Sequence, residues 1–169
     1  MSLIRYLTLG ALAGAAGTAA MDYVLYRRYQ RSGGEDSLWQ WEFAGGVTNW
    51  DQASAPGKVG EKLERFVTGQ APPDEWARPT TNLMHWATGI GWGVQYGVLA
   101  CATSRLGLLR AVGLGPTAWL ASYVILPLLK VYQPIWEYDA QTLRDDLSAH
   151  LVFGSATSAV FAALSRDHS

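Results

Sequence analysis

The sequence predicts an all-α polytopic membrane protein. It reads as a four-transmembrane-helix bundle with a long extramembrane loop that contains a short amphipathic helix. Three observations predict this. First, Lys, Arg, Asp and Glu are absent from Tyr6 to Met21, Pro79 to Ser104, Ala111 to Leu129 and Leu147 to Ser165, although mean hydropathy is only +0.03. A span needs roughly 20 mostly apolar residues at about 1.5 Å each, and these runs are long enough if Asp22 ends the first. Second, small residues recur every fourth position. Gly10, Gly14 and Thr18 lead to Asp22; His85 leads Gly89, Gly93 and Gly97; His150 leads Gly154, Ser158 and Ala162. On a helix each set is one narrow stripe, and in lipid such stripes let backbones approach closely. They should face neighbouring helices and can support a homo-dimer or another membrane subunit. Third, Trp and Tyr cluster at segment ends, as interfacial anchors do. That clustering favours a membrane bundle over a soluble protein with very apolar helices.

The first span covers about 4–26. Arg5, the Ala/Gly/Leu run and Thr18-Ala19-Ala20 also resemble a signal peptide, but the segment is read as a retained span. The loop covers about 27–80, with Trp39, Trp41, Phe43 and Trp50 as apolar anchors. Ser54 then Pro56 marks a helix start and Gly69 a stop. Between them Val59, Leu63, Phe66 and Val67 oppose Glu61, Lys62, Glu64 and Arg65, giving a helix that lies on the membrane or caps the bundle. Gly57-Lys58-Val59-Gly60 lacks the spacing of a phosphate loop.

The second span covers about 81–104 and is followed by a short link, Arg105 to Gly115. The third covers 116–132, with Pro116 in its first turn and Pro127 as a kink. A link over about 133–145 leads to the fourth span, 146–165, with Asp146 as N-cap.

The 169 residues form a single membrane domain, with the lipid bilayer as its surroundings. A net charge of −1 without like-charge blocks leaves no nucleic-acid footprint. One thiol, Cys101, cannot form an intramolecular disulfide. An even number of spans puts both termini on one side. The short basic turn and scarcity of acids there favour termini in the cytoplasm, whereas cation counts alone favour the loop there.

Opposite helix directions should bring Asp22, His85, Lys130 and His150 to one depth, roughly 5 Å inside one membrane face. Glu137, Tyr138, Asp139, Asp145 and Asp146 enter from the adjacent link. A carboxylate near a helix C-terminus is poorly placed, so Asp22 needs a partner among His85, His150, Lys130 and Arg27. The plain alternatives are interfacial histidines, a snorkelling Lys130 and stripes that only pack.

The polar cluster, Asp22, His85, Lys130, Glu137, Asp146 and His150, supports three chemistries. Histidines near helix starts can titrate and reset their pairings, which suits a proton-responsive protein, a small transporter or a channel. His85, His150 and Asp22 can make a three-ligand zinc site, or the two rings can ligate haem, in a bundle that scaffolds a partner. Trp136 to Asp139 with His150 offers acid–base groups, but no nucleophile motif accompanies them, so an enzyme is the third reading. Tryptophans at the polar face can equally line a lipid pocket. No cofactor is required by any motif. The halves share a pattern that a parallel internal repeat would produce.

Pro134-Ile135-Trp136-Glu137-Tyr138, then Asp146 and His150-Leu151-Val152-Phe153-Gly154, resembles the late part of YagU-type bacterial inner-membrane proteins. His85-Trp86 with Tyr96-Gly97, and the Gly10 to Gly17 run, are similar to their second and first spans. The resemblance covers most of the apolar part and little of 27–80, where the Trp-rich loop departs from the pattern. It implies an inner-membrane protein of unknown biochemical activity associated with acid tolerance.

Overall fold

A computed structural model describes residues 2–102 and 107–166, with side chains left undescribed at 107–111. Among these residues the protein is all helical: α1 Leu3–Arg31, α2 Leu38–Glu42, α3 Ala55–Thr68, α4 Ala77–Ala102, α5 Gly107–Leu128 and α6 Ala140–Arg166. Short 3-10 turns occupy Trp50–Gln52, Asp74–Trp76 and Ile135–Glu137. By length and composition α1 and α6 can cross a membrane, and Val112–Leu128 is a shorter apolar stretch.

The small-residue stripes set the packing. A Cβ on Gly14 would lie 2.6 Å from the Gly89 carbonyl oxygen and 2.9 Å from Gly93 Cα. Gly10 meets Gly93 and Gly97 in the same way, so α1 and α4 touch backbone to backbone and run antiparallel. A second face of α1 receives α6, where a Cβ on Gly17 would strike Thr157 and the Phe153 carbonyl. Gly154 of α6 in turn abuts Gly115 of α5. Gly17 and Gly115 thus join the packing glycines read from the sequence. Ala13, Tyr96, Ala100, Leu114, Phe153 and Phe161 fill the core between these contacts.

Several boundaries differ from expectation. α1 runs on to Arg31, so Asp22 lies over two turns inside it and escapes the terminal dipole, which acts only within the last turn. Arg28 and Arg31 occupy that last turn instead. α4 starts at Ala77, because Pro79 falls where helical N–H groups have no partner anyway. α5 includes Pro116 in its interior, so this proline does not open the helix. Most of the expected Arg105–Gly115 link is helix. Arg105 itself and the end of the second span at Ser104 lie outside the described residues, as does the Arg110 side chain.

Asp146 is not an N-cap. Asp139 takes that place, accepting from the Thr142 N–H at 2.9 Å and hydroxyl at 2.7 Å, and these bonds hold its exposed carboxyl below the usual range. α5 also stops before Tyr132. The Val131 N–H bonds to Leu126 O and the Lys130 N–H to Pro127 O, both at 2.9 Å, which closes the helix with Lys130 left-handed at φ 54°. Glycine is the usual residue there. Lys130→Gly should therefore raise stability by about 1 kcal/mol in detergent denaturation. A loss would show that the ammonium group contributes something glycine cannot.

The 32–76 loop is ordered around two anchors. Trp50 is buried with Ala53 and Ala77, its indole N–H donating to Pro72 O at 2.9 Å. α3 begins after Ser54 and ends at Gly69, which is left-handed at φ 72°. It rests on α4 through Gly57 and Gly60, which face Thr81, Thr80 and Met84. Its apolar residues Leu63, Phe66 and Val67 point outward and are exposed.

Candidate functional site

The stripes of α1 and α4 bring two ionisable groups together. Asp22, one turn beyond Thr18, is only 3% exposed. His85, one turn before Gly89, places Nε2 2.8 Å from Asp22 Oδ2. This hydrogen bond satisfies the carboxylate where water is excluded, and an unpaired charge there would be costly.

A third group arrives from the loop. α2 opens with a capping box in which Ser37 and Gln40 satisfy each other's backbone N–H groups. The Trp41 ring packs on Tyr26 and Tyr29, with centroids 5.6 Å and 6.3 Å away. Arg78 Nε and Asn82 Nδ2 both donate to Phe43 O at 3.0 Å, fastening the far end of α2 to α4. Glu42 lies between these two fixings. Its carboxylate, the Asp22 carboxylate and the His85 imidazole come within 4.8 Å of one another.

Burial pushes the Glu42 carboxyl above its ordinary range, and the Asp22 charge pushes it the same way. His85 and the Trp86 indole act in the opposite direction and do not cancel the rise. Glu42 Oε1 and Trp86 Nε1 are buried without a completed hydrogen bond, so the site has unused polar capacity. Two carboxylates and one imidazole can hold a shared proton, and the same donor set can hold a divalent cation.

His150 belongs to a separate nest. Its Nδ1 lies 3.0 Å from Asp146 O and 3.4 Å from Asp146 Oδ1, one turn back on α6. The Tyr123, Tyr132 and Tyr138 rings gather beside them, with centroids 5.4 to 6.1 Å apart. Among the described residues no hydrogen bond, ion pair or ring contact joins His150 to Asp22 or His85. The two nests nevertheless share a depth. α1 and α6 are antiparallel, with Arg28 donating to Asp145 O and Ser148 Oγ at one end and Gly17 meeting Thr157 farther in. That register sets Asp22 level with His150.

The expected single cluster is therefore two. Asp22 and His85 are together, as are Asp146 and His150. Lys130 is not one turn inside a helix but exposed beyond α5, and Glu137 is exposed in its 3-10 turn. Neither makes a side-chain hydrogen bond or ion pair among the described residues. Arg27, the other expected partner of Asp22, is exposed and its side chain makes no hydrogen bond or ion pair among the described residues, while its neighbour Arg28 reaches α6. For the zinc reading, Glu42 now stands where His150 was expected, and the two histidines are engaged separately, His85 by Asp22 and His150 by Asp146. Glu42 was missed in the sequence, although Ser37-Leu38-Trp39-Gln40 has the spacing of a capping box and places this acid at the end of a short helix. Comparison with protein-family models, curated proteins and solved structures gives no match.

Proposed function

We propose that this is a four-span bacterial inner-membrane protein that responds to acid through one proton held by Asp22, His85 and Glu42. The observation that carries the reading is a carboxylate only 3% exposed, bonded to an imidazole, with a second carboxylate brought to it by a separately fastened loop helix. The membrane part of the reading draws support from the outside of the bundle. Leu12, Leu83, Leu120, Val124, Ile125, Leu128 and Leu151 are exposed on α1, α4, α5 and α6, while glycine, alanine, threonine and serine make the closest helix contacts around a core of Tyr96, Leu114, Phe153 and Phe161. Aliphatic side chains on the outside and small residues at the helix contacts suit lipid, where close backbone packing helps to hold helices together. The resemblance of the late segment to YagU-type proteins agrees with an acid-linked role.

The groups facing Glu42 are Asp22 from α1 and His85 and Trp86 from α4, and they set the direction of the response. A carboxyl whose value is raised in the folded protein is stabilising in its protonated form. Docking of α2 should therefore be firmest below the ordinary glutamate value. It should loosen as pH rises through the raised value, where an ionised Glu42 must stay buried beside Asp22. The 19F resonance of a fluorotryptophan at position 41, followed against pH, should report this loosening in the wild type. Glu42→Gln should abolish the pH dependence. An identical pH response in the variant would defeat the proposal. Micromolar zinc binding that is lost in Glu42→Gln would replace the proton with a metal as the occupant. Proton flux in liposomes would extend the role from response to transport.

A further inference from the structure

We propose that the outer end of α1 carries a binding site for the phosphate of an anionic phospholipid. The inference rests on the membrane reading above. It draws on a different part of the molecule from the acid–histidine cluster.

An open groove of about 430 Å³ is lined by Tyr23, Val24, Arg27, Arg28 and Arg31. Tyr23, Arg27 and Arg31 follow one another at four-residue intervals, so they form one column along the helix. At 1.5 Å per residue, Arg27 stands about 7.5 Å farther out than Asp22, and Arg31 one turn beyond that. The column thus passes from an aromatic and aliphatic floor at membrane depth to guanidinium groups at headgroup depth. That is the order of parts in a phospholipid, glycerol and acyl chain below and phosphate above.

Among the described residues no ion pair offsets this positive charge. Arg28 is fixed by its bonds to Asp145 O at 2.7 Å and Ser148 Oγ at 2.8 Å, which are neutral acceptors. The Asp145 carboxylate accepts from the Gln141 amide and the Asp36 carboxylate from the Tyr29 hydroxyl, and neither forms an ion pair with these arginines. Arg27 and Arg31 are exposed, and their side chains make no hydrogen bond or ion pair with any described residue. One fixed and two free guanidinium groups around an open groove present planar, paired donors, which suit phosphate oxygens better than they suit a carboxylate-free apolar surface. Tyr23, 56% exposed, adds an amphipathic ring of the kind found at headgroup level.

The test uses the full chain in detergent micelles with fluorescent phosphatidylglycerol and fluorescent phosphatidylcholine as probes. The wild type should bind phosphatidylglycerol in preference to phosphatidylcholine. The double variant Arg27→Gln/Arg31→Gln should lose about thirtyfold of that affinity, the factor expected for two cations near an anionic surface. Both arginines are exposed and unpartnered, so the variant should keep its helical circular dichroism. Arg166→Gln, at the far end of α6, should bind as the wild type does. Equal binding of the two lipids, or a double variant that binds phosphatidylglycerol unchanged, would overturn the proposal. Displacement by soluble glycerol phosphate at concentrations matching the lipid would move the site from a lipid to a free phosphate ester and overturn it as stated. Alkaline washing of reconstituted vesicles separates the two ideas. Protein that is washed off refutes the membrane reading and this proposal together, whereas protein that stays without lipid preference refutes the proposal alone.

Discussion

Gly93→Leu should cost this protein the contact between α1 and α4. A Cβ at Gly93 would sit 2.5 Å from Gly14 Cα and 2.7 Å from Gly14 N. These are backbone atoms, so no rotamer change can make room. The two helices would have to part along the whole stripe, taking Asp22 away from His85. Overpacking a core typically costs about 1–3 kcal/mol, and a collision between two backbones belongs above that range. Total stabilities are only about 5–15 kcal/mol, so the helix pair should open at temperatures where the wild type is folded. Gly91, on the same helix, has nothing within 4 Å of its would-be Cβ. Gly91→Leu should leave the melting profile in detergent close to that of the wild type. Equal effects of the two substitutions would mean that α1 and α4 are not packed through their glycines.

The second large effect concerns the buried pair itself. Asp22→Ala leaves the His85 imidazole without its partner, and His85→Ala leaves Asp22 buried and unpaired. Removing one member of such a pair typically costs about 3–5 kcal/mol. Removing both relieves the orphaned group, so the double variant should be less destabilised than the two single losses together. Denaturation in detergent for the four proteins gives the coupling directly. Additive losses would mean that Asp22 and His85 contribute separately and do not act on each other.

The Asp22–His85 meeting was legible in the sequence because periodicity and topology both specified it. Stripes of small residues bring helices close, and antiparallel order matches the polar end of one stripe to the polar head of the next. The same logic failed for His150, since a closer partner lay four residues back on its own helix. A local i, i+4 pair forms whatever the tertiary arrangement, and Asp146–His150 has that spacing. Lys130 was misplaced because helix termini are set by short-range hydrogen bonds that apolar periodicity does not report. Here a run of carbonyl-capping bonds ends α5 two residues before the lysine. Pro116 looked like a helix start, yet helix continues on both sides of it. Glu42 was hidden for a different reason. Its place depends on how a 45-residue loop folds back, from Trp50 against Pro72 to Trp41 against Tyr26. Those long-range contacts leave no periodic trace.

α3 shows how an amphipathic pattern can be read correctly and its orientation left open. Its start at Ser54 and stop at Gly69 follow from the residues themselves. The face that packs is the glycine face, not the apolar one, because Gly57 and Gly60 let the helix axis approach Thr80 and Thr81 of α4. Leu63, Phe66 and Val67 are then turned away from the protein. For a bundle in a membrane, that outward apolar edge lies beside Lys58 and Lys62, the arrangement of a helix resting among headgroups.

Carboxyl carbon NMR of Glu42, in protein labelled at glutamate and reconstituted in nanodiscs, tests the central idea most directly. A half-buried Glu42 gathered with Asp22 must give up its proton later than a free glutamate, so its resonance should move at a pH above the ordinary value near 4.5, and Asp22→Asn should draw the midpoint back toward that value. A midpoint at the ordinary value in the wild type, unmoved by the substitution, would show that the loop acid never joins the histidine and aspartate.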